Sequence, residues 1–456
     1  MIPVIAIFDI GKTNKKIILF DEKYRIVREQ TKQFDETTDE NGDPCDDIES
    51  ITSWVKDTIL FLQQDTSIEV KAFNVSAYGA SFVHLDKNFK ILTPLYNYLN
   101  PYPVELLQRF YKTYGGEVNL SMETASPALG NLNSGLQLYR IKHERPQLFT
   151  SISCSLHLPQ YISSVISSEV CADLTSIGCH TYLWDFKKNA YHEWVIREGL
   201  DQKFSAILKS DEVFHVRLGV RRIPVGGGLH DSSAALIPYL TTFHEPFILL
   251  STGTWCISLN PFNDSPLTEE ELKRDCLCYL SYTGRPVKAS RLFSGNEHEI
   301  QTKRLATHFK KQKDFYKSVS FDAKLFGQLK KSSRNSYPPF TNGLQNSVFD
   351  TRDLSLFTSY EEAYHQLMMD ILEIQKASTQ LITNQGVKHI FVDGGFSKNS
   401  VFMNLLAFSF PELEVFGTTV AQSTSLGAAL AIHQHWNTSP VPRDIIELRY
   451  YGMNQG

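Results

Sequence analysis

No stretch of this 456-residue chain approaches the ~18 consecutive apolar residues that a membrane-spanning helix needs. The opening apolar run, Ile2 to Phe8, has no basic flank and meets Asp9 at once, so we expect neither a signal peptide nor an anchor. The seven cysteines include no CxxC pair and no spacing typical of metal ligands, which predicts reduced thiols. Together these absences favour a cytoplasmic protein without membrane attachment.

The sequence also lacks a strong excess of either charge. Its formal net charge is −5, with 21% charged and 42% hydrophobic residues. This balance argues against a nucleic-acid-binding protein and favours work on small molecules. Lysines are frequent between Glu297 and Arg334, but the chain as a whole is acidic. A solvated helical face is therefore preferred there over a nucleic-acid patch.

The chain is longer than one ordinary core supports, so we expect two domains, at 1–240 and 241–456. Each half contains an apolar strand that ends in a polar turn with glycine and threonine: Phe8 to Thr13 in the first, and Leu250 to Thr254 in the second. Two such halves would form related lobes. Each lobe would open with a strand and a phosphate-sized turn facing a cleft.

Periodicity predicts several individual elements. Three short strands are expected to form an antiparallel meander, and long helices and a mixed aromatic segment follow. The strands are Val4 to Phe8, Lys16 to Phe20 and Arg25 to Thr31; the helices are Asp47 to Gln64 and Ser359 to Asn384, the latter stopped by Gly386; the segment that resembles a sheet face is Leu183 to Val195.

Three successive glycines precede a carboxylate near the middle of the chain. Gly226 to Gly228 allow unusual backbone angles and close approach to a ligand, and the residues after Asp231 predict the start of a helix. A carboxylate at that point lies near the positive end of the helix dipole, so it should stay ionised and be able to accept a proton. Asp231 also fits a plain helix cap. The residues alone leave both interpretations open.

The turn after the first strand reads Asp9-Ile10-Gly11-Lys12-Thr13-Asn14. It is not a Walker A loop, because Ala6 stands where that motif requires a glycine. Its backbone amides, the Thr13 hydroxyl and the ammonium of Lys12 or Lys16 could still hold a polyphosphate, with Asp9 holding its magnesium ion. An Asp-x-Gly sequence after a strand is also common as a turn that binds nothing.

Several strings together resemble the FGGY family of sugar kinases, which share the actin-like ATPase duplication. The resemblance extends over essentially the whole chain and is carried by Asp9-Ile10-Gly11, Gly228-Leu229-His230-Asp231, Ser251-Thr252-Gly253-Thr254-Trp255, Asp393-Gly394-Gly395 through Asn399, and Leu426-Gly427-Ala428-Ala429. Shorter strings are most similar to the rhamnulokinase and fuculokinase branch: Ser251 to Trp255, Ala77 to Phe82, and Asn133-Ser134 with Gln137-Leu138. The chain departs from the family at Lys12, where a small residue is usual, and at Phe396, which replaces a third glycine.

The resemblance implies an α/β fold of two actin-like, ribonuclease H-like lobes with a cleft between them. Residues 1–240 would bind the sugar and carry the base, and residues 241–456 would bind ATP. The implied site residues are the base Asp231; Gly11, Lys12, Thr13, Asn14, Lys16, Gly253 and Thr254 for phosphate; Gly394, Gly395, Phe396 and Asn399 for adenosine; Ala77, Tyr78, Gly79, His230 and Asp231 for sugar; and Asp9 for Mg2+. His230 would orient Asp231, contact the sugar or only pack against the glycine turn, and Trp255 is expected in the core.

The implied reaction transfers the γ-phosphoryl group of Mg-ATP to a hydroxyl of a ketose, with the deoxyketoses rhamnulose and fuculose as candidates. A kinase for xylulose, glycerol or another polyol is the alternative on the same fold. A catalytically inactive protein that binds sugar and nucleotide is the alternative from another class. The expected partner is a small-molecule sugar, with neither nucleic acid nor membrane. A homodimer is an expectation from the family alone.

Overall fold

The computed structural model describes residues 1–219, 221–331, 337–420 and 422–452. The chain divides into two compact units. The first comprises Met1–Thr242, Cys278–Pro286 and Ala421–Ile445, and the second comprises Phe243–Leu277, Val287–Val420 and Ile446–Gly456. Two segments from the second half of the chain therefore return to the first unit.

Over the described residues, the strands are β1 (Ile2–Ile10), β2 (Lys15–Asp21), β3 (Ile26–Lys32), β4 (Glu36–Thr38), β5 (Pro44–Asp46), β6 (Ile68–Ala77), β7 (Phe82–Leu85), β8 (Cys154–His157), β9 (Trp184–Asp185), β10 (Ala190–Tyr191), β11 (Val213–Leu218), β12 (Arg221–Gly226), β13 (Leu229–His230), β14 (Phe247–Thr252), β15 (Cys256–Asn260), β16 (Cys276–Leu280), β17 (Pro286–Leu292), β18 (His389–Gly394), β19 (Glu414–Thr419) and β20 (Glu447–Tyr451).

Over the same residues, the α-helices are α1 (Ile48–Gln64), α2 (Val104–Thr113), α3 (Glu117–Glu123), α4 (Ser134–Glu144), α5 (Pro146–Ser151), α6 (Leu158–Ser167), α7 (Leu174–Ile177), α8 (Glu193–Arg197), α9 (Asp231–Thr242), α10 (Glu269–Lys273), α11 (Ser294–His308), α12 (Ala323–Lys330), α13 (Tyr360–Ile382), α14 (Ser400–Ser409), α15 (Ser423–Ala431) and α16 (His433–Trp436). Short 3-10 turns lie at Gly130–Leu132, Asp201–Lys203, Phe315–Ser318, Val348–Thr351, Leu354–Leu356 and Gly395–Lys398.

The first unit is built on a seven-stranded sheet in the order β11-β12-β6-β1-β2-β3, with β13 also paired to β6. β1 is central because its run of apolar residues is buried, and it pairs antiparallel with β2 and parallel with β6. β2 pairs antiparallel with β3, so the predicted meander is confirmed.

Helix α1 covers this sheet with an apolar stripe. Asp47 caps it by accepting a hydrogen bond from the Ser50 amide, and the helix ends at Gln64, as the sequence predicts. The core-facing positions follow the helical repeat, and the buried residues are Ile48, Ile51, Val55, Thr58, Ile59 and Leu62. Most of them belong to the same core cluster as the apolar residues of β1 and β6.

A second core in the first unit is mainly helical and rich in aromatic side chains. Phe110 packs edge-on against Tyr139 and Trp194, with ring centroids 5.0 Å apart in both pairs. The segment Leu183 to Val195, predicted to lie on a sheet face, instead forms the two-residue strands β9 and β10 and the start of α8. Its aromatic residues follow from packing in this core rather than from a long strand.

The second unit is built on a seven-stranded sheet in the order β16-β17-β15-β14-β18-β19-β20. β14 and β18 pair in parallel at its centre, and β14 is fully apolar in its first four residues, which are buried. The long helix α13 starts after its cap Ser359, close to the predicted start, and ends at Ile382 rather than at the predicted Asn384. None of the helices in the described residues has the length and apolar character to cross a membrane.

The lysine-rich segment consists largely of two helices, α11 and α12, rather than one continuous face. Lys303, Lys310 and Lys311 are exposed, and Lys303 pairs with Glu299 one turn earlier on α11. The end of the predicted segment, at 332–334, lies outside the described residues. Its described part has the solvated character expected from the sequence.

Candidate functional site

Three parallel strands of the first unit end at one edge of its sheet. Asp9, near the end of β1, lies opposite Ser76 of β6, and His230, the last residue of β13, lies opposite Ala77. Because the carboxyl ends of parallel strands are where ligands bind in open α/β sheets, this edge is the candidate site. It brings together Asp9, the turn after Ala77 and the pair His230-Asp231.

The glycine run before this edge packs against its own unit. Of its three glycines, only Gly228 has a positive φ, 87°. A Cβ on Gly226 would lie 2.4 Å from the Asn74 side chain, and one on Gly228 would lie 2.5 Å from the Pro159 carbonyl oxygen. The expectation that these glycines bring the chain close to a ligand therefore needs correction: the close approach is to neighbouring protein. Their effect is to set where β13 and Asp231 begin.

Asp231 is the first residue of α9. Its Oδ1 accepts a hydrogen bond from the Ser232 hydroxyl at 3.2 Å, and 34% of its side-chain surface is exposed. Burial of the carboxyl raises its pKa to about 6, although hydrogen bonds from Ser232 favour the charged form. The group is accessible, mostly ionised at pH 7 and a stronger base than an ordinary aspartate.

His230 is held tightly behind Asp231. Its ring occupies the space that a side chain at position 79 would need, with a Cβ on Gly79 falling 2.4 Å from its Nε2. Nδ1 accepts a hydrogen bond from the Ser232 amide at 3.3 Å and lies 3.5 Å from Asp231 Oδ1. Burial lowers the pKa of His230 to about 4, so the ring is neutral at pH 7.

Tyr98 is a further neighbour of this edge. Its ring centroid lies 6.0 Å from that of Tyr78. Burial, and then the negative charges of Asp231 and Asp46, raises the pKa of Tyr98, so its hydroxyl lies within electrostatic range of both carboxylates. No sequence motif assigns Tyr98 to the site, because a single tyrosine in a loop belongs to no periodic or spaced pattern.

Asp9 is contacted by two hydroxyl groups from the start of α15. Thr424 Oγ1 and Ser425 Oγ both donate to Asp9 Oδ2, at 2.5 and 2.7 Å. Burial raises the pKa of Asp9, the two hydroxyls act in the opposite direction, and the charge of Asp231 raises it further. The sequence motifs indicate neither hydroxyl. Both lie more than 400 residues further along the chain than Asp9, just before the string Leu426 to Ala429.

Helices α15 and α9 approach each other backbone to backbone beside this carboxylate. A Cβ on Gly427 would lie 1.8 Å from the Ala234 carbonyl oxygen, which cannot move away as a flexible side chain could. The glycine therefore allows α15 to carry Thr424 and Ser425 up to Asp9.

Gly427→Ala is expected to destabilise the protein, because relieving this clash requires α15 to shift. Overpacked core positions typically cost about 1–3 kcal/mol in the free energy of unfolding. Denaturant unfolding of the purified variant measures the loss. Gly327→Ala is the matched control, since a Cβ on Gly327 in α12 would meet no atom within 4 Å, and it should unfold at unchanged or higher denaturant concentration. Equal unfolding midpoints for both variants would contradict the close packing.

The turn between β1 and β2 is closed by a hydrogen bond from the Gly11 amide to the Asn14 carbonyl oxygen, at 3.0 Å. Thr13 and Asn14 are exposed. Lys16 donates to Gln422 Oε1 at 3.0 Å. The turn predicted to bind phosphate is thus compact, and its tip is open to solvent. Lys16, which follows the turn, is hydrogen-bonded to the segment before α15.

Lys12 belongs to a network around Asp46, which the sequence did not indicate. Lys12 and Lys15 pair with opposite oxygens of Asp46, at 2.5 and 2.7 Å, and the Tyr78 hydroxyl donates to it at 2.8 Å. Burial acts to raise the pKa of Asp46, but the bonds from the lysines outweigh it and the pKa is lowered. Lys15 is 2% exposed and Lys12 is 25% exposed. Lys15 alone neutralises Asp46, so this network carries one surplus positive charge.

In the second unit, the turns after β14 and β18 lie side by side. Thr252 is opposite Gly394, and its Oγ1 donates to the Asp393 carbonyl oxygen at 2.5 Å while accepting from the Phe396 amide at 3.0 Å. Gly394 has a φ of 85°, and a Cβ there would lie 1.9 Å from the Thr252 carbonyl oxygen. Only glycine fits this position.

The predicted phosphate residues Gly253 and Thr254 lie at the tip of the first of these turns, and both are exposed. The start of α11 supports the turn: the Asn296 amide donates to the Thr254 carbonyl oxygen at 3.1 Å. Trp255, expected in the core, is only partly buried and packs on Phe293 with ring centroids 4.6 Å apart.

The predicted adenosine residues lie together around the start of α14. Gly394 and Gly395 are exposed, whereas Phe396 is buried and stacks on Phe402 with centroids 4.5 Å apart. Asn399 caps α14 through its Oδ1, and its amide nitrogen donates to the Tyr364 hydroxyl at 2.6 Å. Phe396 and Asn399 are therefore partly committed to the structure of the turn itself.

Comparison with known proteins identifies the family. Residues 4–238 match the N-terminal domain of the FGGY family of carbohydrate kinases, and residues 244–440 match the carbohydrate kinase FGGY C-terminal domain. The chain belongs to the FGGY family. The family resemblance expected from the sequence motifs is confirmed.

Individual relatives are distant. A protein named rhamnulokinase from Halalkalibacterium halodurans is 23% identical over 265 residues, which are 55% of this chain and 54% of that protein. The chain thus spans about half the length of the curated relatives it matches.

Two solved structures share the fold. A carbohydrate kinase from Novosphingobium aromaticivorans aligns with a TM-score of 0.80 at 21% identity, covering 99% of this chain and 94% of that one. The ligand-bound xylulose kinase from Lactobacillus acidophilus aligns with a TM-score of 0.77 at 14% identity, with the same coverage. The predicted α/β fold with two actin-like, sheet-containing halves is confirmed.

Proposed function

We propose that this chain transfers the γ-phosphoryl group of ATP to a hydroxyl of a ketose, with the deoxyketoses rhamnulose and fuculose as the first candidates. The observation that carries the proposal is Asp231, an accessible carboxylate of raised pKa at the strand edge that also holds Asp9. Family membership and the relative named rhamnulokinase support it.

In this proposal Asp231 is the general base. A sugar hydroxyl is a weak nucleophile at neutral pH, and a carboxylate that takes its proton during attack typically contributes about 10²- to 10⁴-fold to the rate. His230, neutral and packed on Gly79, orients Asp231 and borders the acceptor. The backbone of Ala77, Tyr78 and Gly79 would face the sugar, since the Tyr78 hydroxyl is already bonded to Asp46.

Asp9 fits a magnesium site. Mg2+ prefers oxygen ligands, and Asp9 combines a carboxylate with two neighbouring hydroxyls and the repulsion of a second carboxylate, which a cation would relieve. A bound Mg2+ ion would neutralise part of the negative charge of the phosphates. The surplus charge of Lys12, together with Lys16 and the turn from Gly11 to Asn14, would hold the polyphosphate from the first half of the chain.

The second half would hold the nucleotide. We assign Gly253 and Thr254 to the γ-phosphate, and Gly394, Gly395, Phe396 and Asn399 to adenosine. The exposed positions of Gly253, Thr254, Gly394 and Gly395 at the tips of the turns after β14 and β18 support these roles, because a ligand can reach the chain there. Residues 1–240 would then serve the sugar and the base, and residues 241–456 the ATP.

The pH dependence of turnover is expected to report Asp231. A base works only when deprotonated, so kcat/KM should be level above the pKa and fall tenfold per pH unit as the pH drops through about 6. The measurement is kcat/KM from pH 5 to 8 at saturating Mg-ATP. A profile that stays flat down to pH 5 would contradict a base with this pKa.

The substrate is tested by a screen of ketoses and polyols for ATP-dependent phosphorylation, with detection of the sugar phosphate by mass spectrometry. We expect the highest kcat/KM with rhamnulose or fuculose. A preference for xylulose or glycerol would redirect the proposal to those acceptors. Binding of ATP and of a sugar without formation of ADP or of any sugar phosphate would instead favour a protein that only binds sugar and nucleotide.

A further inference from the structure

Among the described residues, one cluster of side chains could bind a metal ion that the proposed reaction does not require. The thiol of Cys179 and the imidazoles of His180 and His230 each offer a ligand atom, and these atoms lie within 4.8 Å of one another. Cys179 and His230 are buried, and His180 is partly buried. The cluster adjoins Asp231, because His230 is the residue immediately before Asp231 in the chain.

The backbone holds this arrangement in place. His180 has a φ of 42°, a left-handed conformation that is uncommon for residues other than glycine, and its carbonyl oxygen accepts a hydrogen bond from Asn133 Nδ2 at 2.9 Å. Its ring stands edge-on to that of His230, with centroids 6.1 Å apart. Unusual backbone conformations that the surroundings maintain are concentrated at functional sites. Spacing within the sequence cannot reveal the cluster, since its third member lies 50 residues from Cys179-His180.

One thiol and two imidazoles form a ligand set for a thiophilic transition metal rather than for Mg2+, which prefers oxygen. Zinc–sulfur bonds of about 2.3 Å and zinc–nitrogen bonds of about 2.0–2.1 Å place the ligand atoms of a tetrahedral site roughly 3.3–3.6 Å apart. Side-chain adjustments of about an ångström would reach this spacing from the one observed. Three protein ligands leave the fourth position open.

We propose that Cys179, His180 and His230 bind one Zn2+-class ion, and that this binding inhibits phosphoryl transfer. The thiol proton would be released to solvent as the Cys179 sulfur binds the metal. His230 would offer Nε2, because its Nδ1 faces Asp231 Oδ1 at 3.5 Å. A metal-bound histidine almost always donates its other ring N–H to a carboxylate or similar acceptor, and here that acceptor is Asp231.

The inhibitory effect rests on the proposed role of Asp231 as base. Zinc on Nε2 would displace the ring proton from that nitrogen to Nδ1, which would give up the bond that it accepts from the Ser232 amide. The new Nδ1–H would donate to the Asp231 carboxylate that should receive the sugar proton, and the ring would no longer border the acceptor. Occupation of the site therefore reduces turnover without occupying the nucleotide residues. Metal binding itself does not depend on the proposed reaction.

Binding is tested on the purified full chain without nucleotide, by calorimetric titration with Zn2+ and by the thiolate-to-metal absorption of Co2+. We expect one ion per chain. Loss of an outer-shell partner typically costs about 10- to 100-fold in metal affinity, so loss of a ligand in Cys179→Ser should cost at least the upper end of that range. His180→Asn removes the second ligand with a residue that tolerates left-handed backbone. Cys154→Ser, a buried cysteine bonded to Ser205, should bind like wild type.

Inhibition is tested by adding Zn2+ to the kinase assay at saturating Mg-ATP. Wild type and Cys154→Ser should lose turnover, and Cys179→Ser should keep it at the same zinc concentration. Absence of Zn2+ and Co2+ binding by folded wild type would overturn the site. Binding that Cys179→Ser and His180→Asn leave unchanged would place the metal elsewhere. Cluster binding without inhibition would overturn the inhibitory effect. If no acceptor is ever phosphorylated, the proposed function fails while the binding titrations still decide the site.

Discussion

Asp231→Asn is expected to lower kcat by about 10²- to 10⁴-fold while leaving the affinity for ATP nearly unchanged. Asparagine keeps the size of the side chain and can still accept the Ser232 hydroxyl that Asp231 Oδ1 accepts at 3.2 Å, but it cannot take the proton of an attacking sugar. The measurement is steady-state turnover with the acceptor identified by screening, together with ATP binding by calorimetry. The variant should also lose the fall in kcat/KM near pH 6.

Asp47→Asn provides the matched control for this experiment. Asp47 also stands at the start of a helix in the first unit, where it caps α1 by accepting the Ser50 amide, and asparagine caps helices equally well. Its turnover should remain close to that of wild type. If the two variants have similar kcat, or if Asp231→Asn keeps near-normal turnover, Asp231 is only a helix-start residue and the base must be sought elsewhere.

Asp9→Asn is expected to abolish most activity without weakening the fold. A metal ion contributes several kcal/mol of charge stabilisation to such reactions, so losing its carboxylate should reduce kcat/KM by on the order of 10²- to 10³-fold. The amide oxygen can still accept the hydroxyls of Thr424 and Ser425, so the contact between β1 and α15 survives. Excess Mg2+ should not restore turnover.

The stability of the same variant follows from the pKa of Asp9. Burial raises this pKa in the folded state, so above the unfolded pKa the ionised carboxylate disfavours folding. A neutral amide removes that cost, and Asp9→Asn should unfold at the same or a higher temperature at pH 7. Ser425→Ala is the contrasting variant: it removes a donor to the carboxylate, so it should unfold at a lower temperature and keep more activity. A clear drop in the midpoint of Asp9→Asn would show that the carboxylate serves the fold.

Much of the fold follows from local sequence. The apolar run of β1, the helical repeat of α1 and the start of α13 near Ser359 appear where the sequence predicts them, since each depends on residues within a few turns. The segment Leu183 to Val195 was mispredicted as a sheet face. Its aromatic residues are determined by a helical core whose other members, such as Phe110 and Tyr139, are distant in sequence.

The residues of the candidate site also divide into those that local sequence indicates and those that only the folded chain brings together. Asp9, Gly11 and Asp231 could be selected because each stands in a short motif at the junction of a strand with a turn or helix. Asp46 and the hydroxyls of Thr424 and Ser425 could not, because only the folded sheet brings them to the turn after β1. The glycine run precedes Asp231 and helix α9 as the sequence indicates, but its close approach is to neighbouring protein groups and not to a ligand. Its neighbours are Asn74 and Pro159, and local sequence cannot show what fills the space beside a glycine.

The hydroxyls that α15 places on Asp9 have a consequence for biosynthesis. The bond from Thr424 to Asp9 joins residues 415 positions apart, so the strand that carries Asp9 is made long before its partner exists. Chains fold from the amino terminus as they are synthesised, and contacts of such long range close late. A nascent chain would therefore hold its sheet and its Asp231 helix while Asp9 still lacks both donors. Synthesis of α15 would then supply both hydrogen-bond donors to Asp9.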